Sequence, residues 1–408
     1  MDRFEALIIG GGPAGATAAI LLAKAGWSVA LVERKSFPRR KVCGEYLSAT
    51  NWPLLWRLGI GEAFADMAGP PVLKTAIFVG KTKYIAGLPQ PQEGMPWGRA
   101  LPREHLDTLL VERARKAGAA VFQPARCNDL RCNNEGGIAT IECDSNTARE
   151  ISANVVIAAH GSWEIGDLST QRQATAPKPR DWLAFKAHFQ NTMLPDGLMP
   201  LLCFHGGYGG MVHVRPERVS LSCCIQRHRY ERLTRPTGVS AGETVLTHIL
   251  ESCPVLQPVL DGAVLDGPWL AAGAIQTGIR PRYCDGVYVV GNAAGEAHPV
   301  VAEGISMAMQ SAWLLVVRLI PHRRDVQNAI VRRRIADDYS AAWRTAFAPR
   351  IYTAATIAQW ASRPWLVHAA GPLLRTFPAL VTLGAWLSGK SRLIVKEDFQ
   401  AATECYQG

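Results

Sequence analysis

Gly10, Gly12 and Gly15 follow one another in the spacing G-x-G-x-x-G, with Pro13 and Ala14 inside the run and Glu33 and Arg34 about 20 residues further on. Residues of these types at this spacing can hold a dinucleotide. The first glycine permits a tight turn, the second lets the backbone approach a pyrophosphate, and the third lets a helix cross close to a strand. The acid after the second strand can accept hydrogen bonds from both ribose hydroxyls. The elements that must position these residues are legible around them. Leu7 to Ile9 is a short apolar run, as expected of a buried parallel strand. An alanine-rich helix starts at the turn, stays small at Ala19 where it crosses the sheet, and closes at Gly26. Val29 to Val32 forms the second strand and delivers Glu33. The helix points its unpaired N–H groups and positive dipole end at the phosphates.

A second set of residues could move protons. Tyr208 and His213 stand in the glycine-rich run Cys-Phe-His-Gly-Gly-Tyr-Gly-Gly-Met-Val-His-Val at 203–214, His298 follows a later small-residue loop, and Cys43 follows a basic stretch. A tyrosine can hydrogen-bond a phenol or carbonyl of a substrate, and a histidine with a free pKa near neutral can act as acid or base. The plainer alternatives are a structural tyrosine in a turn, a packed strand histidine and a small buried cysteine. Residues 176–265 read as strands and turns, with Leu183–Phe189, Gly210–Val214 and Arg218–Ile225 as strands. The pattern after residue 310 is helical.

Composition bounds the rest. A chain of 408 residues with 48% hydrophobic content is globular and long enough for two or three domains. Ten cysteines without CxxC spacing or Cys/His clustering fit a reducing compartment and give neither a disulfide framework nor a metal site. The first strand begins almost at Met1, leaving no room for a secretory signal, so a cytoplasmic setting is expected. The net charge of +10 comes with arginine clusters at Arg323, Arg324 and Arg332–Arg334 but with no nucleic-acid motif. Nucleic acid is therefore not expected as a partner. A solvated helix face is the plain account of those clusters; an anionic membrane surface or an acidic carrier protein is the sharper one. Trp365 to Leu387 is apolar, yet His368, Pro372, Arg375 and Pro378 interrupt it, which argues for a helical cap over a greasy tunnel, able to rest peripherally on a bilayer, rather than a span.

Four further motifs carry a family resemblance. The strand Val-Tyr-Val-Val before Gly291-Asn292-Ala293-Ala294-Gly295, followed by Pro299 and by Ala302-Glu303-Gly304-Ile305, resembles the second FAD motif of the p-hydroxybenzoate hydroxylase-like flavoprotein monooxygenases, flavin halogenases and geranylgeranyl reductases. Arg103-x-x-Leu106-Asp107-x-x-Leu110 is similar to the helix of that superfamily whose arginine lies beside the ribityl and phosphate groups. Val42-Cys43-Gly44-Glu45, after Arg39, Arg40 and Lys41, resembles the element lying against the flavin, and Cys127 falls where backbone meets the adenine. Val155 to Gly161 sits where the superfamily has a strand and Asp-Gly.

The resemblance implies FAD, held by the glycine loop, Glu33, Arg34, Arg40, Cys43, Gly44, Arg103, Cys127, Asn292, Gly304 and Ile305. It implies an α/β fold with a Rossmann-like FAD-binding domain at 1–75, 101–175 and 266–330. A β-sheet substrate domain at 76–100 and 176–265 and a helical C-terminal cap at 331–408 complete it. The chain departs from the pattern where Asn292 and His160 replace aspartates and Ala302 replaces a glycine. The His160 change puts direct reduction by a nicotinamide cofactor in question, so either NAD(P)H or a partner reductase supplies electrons. The activity implied is monooxygenation of a hydrophobic or aromatic small molecule, free or carrier-bound. Reduction of prenyl-type double bonds is the alternative, and a non-redox flavin-fold binding protein a third. The halogenase Trp-x-Trp-x-Ile-Pro signature is missing, which argues against halogenation. Tyr208, His213, His298 and Cys43 are the candidate catalytic residues.

Overall fold

In the computed structural model, which describes residues 1–133, 136–143, 147–173 and 175–395, two eight-stranded sheets meet along one edge of a long cavity. Residues 396–408 of the expected C-terminal cap lie outside the described residues.

The first sheet is built from apolar runs. Asp2–Ile9 lies at its centre, parallel to Val29–Val32 on one side and to Thr147–Ala158 on the other. Ala120–Phe122 and Val287–Val289 extend it in parallel. Leu7, Ile8, Ala30, Leu31, Ile157 and Ala158 are fully buried, because helices cover both faces. One cover is the helix Pro13–Lys24, started by a proline at its first turn. Another is Gly304–Leu319, which packs against it. The stretch Gly304–His322 is the one among the described residues long and apolar enough to cross a membrane, but it is 72% buried and serves as a core helix.

The second sheet is antiparallel apart from one parallel pair. It runs Val264–Leu265, Trp182–Gln190, Arg218–Gln226, Gly207–Arg215, Leu198–Phe204, Lys74–Val79, Thr82–Gly87. Alternation along Trp182–Gln190 separates its two faces. Phe185, Ala187 and Phe189 pack under the helix Ala241–Ser252, whose Ser240 and Glu243 form a capping box. Trp182, Ala184, Lys186 and His188 alternate with them and so take the opposite face.

The expected C-terminal helices are present, but the first does more than cap. Ala329–Ala361 is 33 residues long. Its first half, through Ile335, Tyr339, Trp343 and Phe347, joins the nucleotide-domain core, and its end, through Ala358 and Ala361, joins the second sheet. The apolar stretch after it breaks into Pro364–Ala369, Gly371–Thr376 and Ala379–Ala385, with Pro364 and Pro372 within the first turns of the first two and Pro378 at the N-cap of the third.

Candidate active site

A cavity of about 660 Å³ runs along the junction of the two sheets and continues under the C-terminal helices. Its nucleotide end is built by the glycine loop. Gly10 adopts φ +109°, and a side chain there would strike the Ala159 carbonyl at 2.6 Å. Gly15 sits beneath the loop, where a Cβ would overlap the Gly10 oxygen, so it serves the close helix–strand crossing rather than the cavity wall. Gly12, in contrast, opens onto the cavity, with only Arg103 Nη2 near, at 3.9 Å. The Glu33 carboxylate braces the loop. One oxygen accepts from Gly11 N at 2.7 Å and the other from Lys35 N at 2.8 Å. A carboxylate has about four acceptor directions, so two remain for a ribose.

Positive charge gathers beside Gly12. Arg103 is buried and gripped by Asp107 through two bonds of 2.7 Å, which outweighs the burial penalty and keeps the guanidinium charged. Lys41 also lines the cavity; burial, with Arg103 and Arg39 close by, pushes its ammonium down to about 8. Arg39 leaves its Nε buried without a protein partner, and Glu296, raised by burial, leaves Oε2 in the same state. Both residues line the cavity, as do Pro13, Ala14, Arg34, Cys43, Gly44, Cys127, Asn292, Gly304 and Ile305. An open cradle at Gly12, fixed cations, and orphaned donor and acceptor groups in one wall fit a bound FAD. The cysteines add no reactivity of their own at the adenine end: burial pushes the Cys127 thiol up to about 12.

Three candidates lie elsewhere than expected. Arg40 turns away from the cavity, to His188 Nδ1 at 3.0 Å, and it is its neighbours Arg39 and Lys41 that line the wall. His213 faces the opposite side of its strand from Tyr208 and Val212, both of which line the cavity. It binds the Leu194 carbonyl at 2.9 Å and does not line the cavity. His298 does not line it either but stands directly behind Tyr208, with Nδ1 2.5 Å from the phenol oxygen. Trp182 packs edge-on against His298 at 5.0 Å, and burial pushes the imidazole down to about 4. Burial raises the Tyr208 phenol well above its ordinary value. A neutral imidazole and a protonated phenol let Tyr208 donate to Nδ1, leaving the imidazole proton on Nε2. His160 lines the cavity with both ring nitrogens engaged, by the Gly161 carbonyl at 2.9 Å and Thr170 Oγ1 at 3.1 Å, and burial lowers its pKa.

The residues sequence reasoning missed join the two sheets. Glu45 is fully buried at φ +63°. Its carboxylate pairs with Lys186, accepts from Arg103 N at 3.0 Å and lies 2.7 Å from His188 Nε2. Burial alone would raise this carboxyl, but the His188 hydrogen bond and the Lys186 ammonium outweigh it and hold it down at about 2. Lys186 and His188 stand at i, i+2 in a largely apolar strand, a visible signal that two polar side chains share one buried face. A second buried acid, Glu303, precedes the Gly304 helix; Lys390 reaches it at 3.1 Å while donating to the Val301 carbonyl at 2.6 Å.

Comparison with known proteins agrees with this geometry. Residues 3–331 match the family described as FAD binding domain. Conditioned medium factor receptor 1 of Dictyostelium discoideum is 24% identical over 393 residues, covering 91% of this chain and 73% of that one. Tryptophan 2-halogenase of Chondromyces crocatus is 26% identical over 355 residues, covering 85% of this chain and 64% of that one. Among solved structures, the flavin-dependent brominase Bmp2 superposes with a TM-score of 0.75 over 99% of both chains at 18% identity, a likeness of fold. The chain belongs to the FAD binding domain family, within the superfamily of FAD-dependent monooxygenases and reductases.

Proposed function

We propose that this oxidoreductase is a monooxygenase acting on a hydrophobic, oxygen-bearing small molecule, aromatic in its reacting part and free or carrier-bound. The observation that carries the reading is one continuous cavity, which leads from the Gly12 cradle past the Tyr208 phenol into an apolar end walled by Ile77, Leu201, Val367, Leu374 and Val381. Bound FAD supplies the electron transfer and the activation of dioxygen. The electrons come from NAD(P)H or from a partner reductase. The protein's own part is positional. Arg103, Lys41 and the Gly12 backbone hold the diphosphate, and Glu33 holds the ribose. Asn292, Glu296 and the Gly304 helix N-terminus face the flavin side. Tyr208, whose own proton goes to His298 Nδ1, leaves its phenol oxygen to accept the proton of a substrate hydroxyl, and the apolar walls exclude water from the reacting carbon.

A second reading is favoured by the length of the apolar end, which suits a prenyl chain as well as an alkylated ring: saturation of its double bonds. Para-alkylphenols of increasing chain length and polyprenyl alcohols, each given to protein reduced without air, separate the two. Hydroxylated phenol and oxygen consumption on admitting air support the proposal. A saturated polyprenol formed without oxygen overturns it in favour of the second reading, and a reduced flavin whose reoxidation yields product from neither compound makes the protein a binder. In the active assay, Tyr208→Phe should lower turnover by about 10² at unchanged flavin content. Unchanged turnover would reduce Tyr208 to packing.

A further inference from the structure

The helices that close the apolar end of the cavity are apolar on their outer side too. Trp365 is 64% exposed, Phe377 56%, Trp386 55% and Leu373 53%, with Leu383 and Leu387 close to half. These residues come from four consecutive short segments between Pro364 and Lys390, so the exposure forms one patch and not scattered single residues. The inner sides of the same segments line the cavity through Val367, Leu374, Val381 and Ala385. Two residues belong to both surfaces. Trp360 and Leu380 line the cavity and are also 43% and 37% exposed, which marks where the cavity opens onto the patch.

Charge selects the occupant. No Asp or Glu occurs between Asp338 and Glu397, a stretch that carries Arg344, Arg350, Arg363, Arg375, Lys390, Arg392 and Lys396, of which Arg350 and Lys390 turn inward to Glu303. Arg363, Arg375 and Arg392 are exposed around the patch. The guanidinium groups of Arg363 and Arg392 bond only backbone carbonyls among the described residues, of Gln359 at 3.2 Å and Thr345 at 2.9 Å. A purely apolar protein face would cover the patch but leave these cations unanswered. A lipid surface with negative headgroups answers both features at once: aromatic and leucine side chains enter the interface while arginines meet phosphates. Each helix is seven residues or shorter, too short to span, so the segments lie in the interface plane.

We infer that the C-terminal helices between Trp360 and Lys390 dock on an anionic lipid bilayer with the cavity mouth at Trp360 and Leu380 against the lipid. The site thereby draws its hydrophobic substrate from the membrane and not from water. The delivery step rests on the hydrophobic-substrate reading above; the docking does not.

Docking is measured on the oxidised, flavin-loaded protein without any substrate, by cosedimentation with vesicles of phosphatidylcholine alone or mixed equally with phosphatidylglycerol. Binding to the mixed vesicles at low salt, at least tenfold weaker to phosphatidylcholine, is the expected result. Phe377→Glu and Trp386→Glu should each lower the bound fraction at least tenfold, and Arg363→Glu with Arg375→Glu should remove the preference for phosphatidylglycerol. Flavin absorbance per protein, equal to wild type, certifies that each variant is folded. Failure to bind either vesicle, or equal binding by Phe377→Glu and wild type, overturns the inference. So does a dimer in solution that Phe377→Glu dissociates, since the patch would then belong to a second copy. With an alkylphenol as substrate, Phe377→Glu should slow turnover tenfold when the phenol is carried in vesicles and not at all in detergent micelles. Equal turnover in both removes the delivery role and leaves the docking result standing.

Discussion

At the nucleotide end of the cavity, Gly11 and Glu33 meet across 22 residues of chain; along the junction of the two sheets, Tyr208 meets His298 across 90, and Glu45 meets His188 across 143. The first arrangement is made by one strand, one helix and the next strand, and it would exist in any chain carrying that unit. The second exists only when both sheets, the loop after Gly295 and the C-terminal helices have found one another. Damage at the first end should therefore remove a ligand and spare the fold, whereas damage at the junction should weaken the fold itself.

Gly12→Val tests the first half of this contrast and has the largest expected effect. Valine suits the extended backbone at residue 12, φ −70° and ψ −175°, and enters open space. The apoprotein should lose no more than about 1 kcal/mol, the scale of a poorer helix cap. Flavin absorbance per protein should nevertheless vanish, because the side chain fills the place of the diphosphate. Normal loading would remove the cradle from the site.

Glu45→Gln tests the second half. It keeps the left-handed backbone and the side-chain shape but strands the Lys186 ammonium in a fully buried place. Breaking such a pair by removing one partner costs about 3–5 kcal/mol, while replacing both partners with apolar groups is close to neutral. Urea unfolding should show that loss for Glu45→Gln and recovery when Lys186→Met is added; a change below about 1 kcal/mol in the single variant would mean the hub holds nothing. The pH dependence has a definite sign. The folded carboxyl lies at about 2 against 4.5 ordinarily, so its contribution is complete above pH 4.5 and is lost as pH falls toward 2. Acid unfolding of Glu45→Gln should lack that component.

The same contrast explains what could be read from the residues alone. Val29–Val32 and the three middle strands were legible because local alternation and apolar runs decide them. Among Arg39, Arg40 and Lys41, by contrast, composition could not say which face the cavity, since a loop has no period. It is Arg40 that leaves, drawn by His188 and Glu104 from distant elements. His298 was legible as a candidate beside the flavin motif, but its place behind Tyr208 depends on the packing of Trp182 from the other sheet. The resemblance directed attention to Cys43 and Gly44 and passed over the structural task of the acid next to them.

Lys41 gives a smaller effect at the nucleotide end. Its ammonium is down at about 8 by burial and by Arg103 and Arg39, and a diphosphate favours the charged form. FAD affinity should therefore be level below pH 8 and fall above it, by at most about tenfold per pH unit, until the raised pKa of the bound state is reached. Lys41→Arg, charged throughout, should bind equally at pH 7 and 9. A wild-type affinity that does not change over this range would take Lys41 out of contact with the diphosphate.

The smallest effect separates two strained residues. Glu45 and Ala302 both take left-handed backbone, φ +63° and +54°, and Ala302 stands where the superfamily pattern has glycine. At Glu45 the buried side chain is held by Lys186 and His188, so strain is offset by bonds that glycine could not make. Ala302 has only a methyl group and no such return. Ala302→Gly should stabilise the protein by about 0.5–1 kcal/mol, the ordinary gain when a left-handed residue becomes glycine, less the extra entropy of the unfolded chain. Glu45→Gly should instead destabilise by several kcal/mol, since it leaves the Lys186 charge unpaired. Thermal unfolding of the two variants side by side decides it: two changes of the same sign would mean that backbone strain, and not the buried ion pair, sets the conformation at both positions.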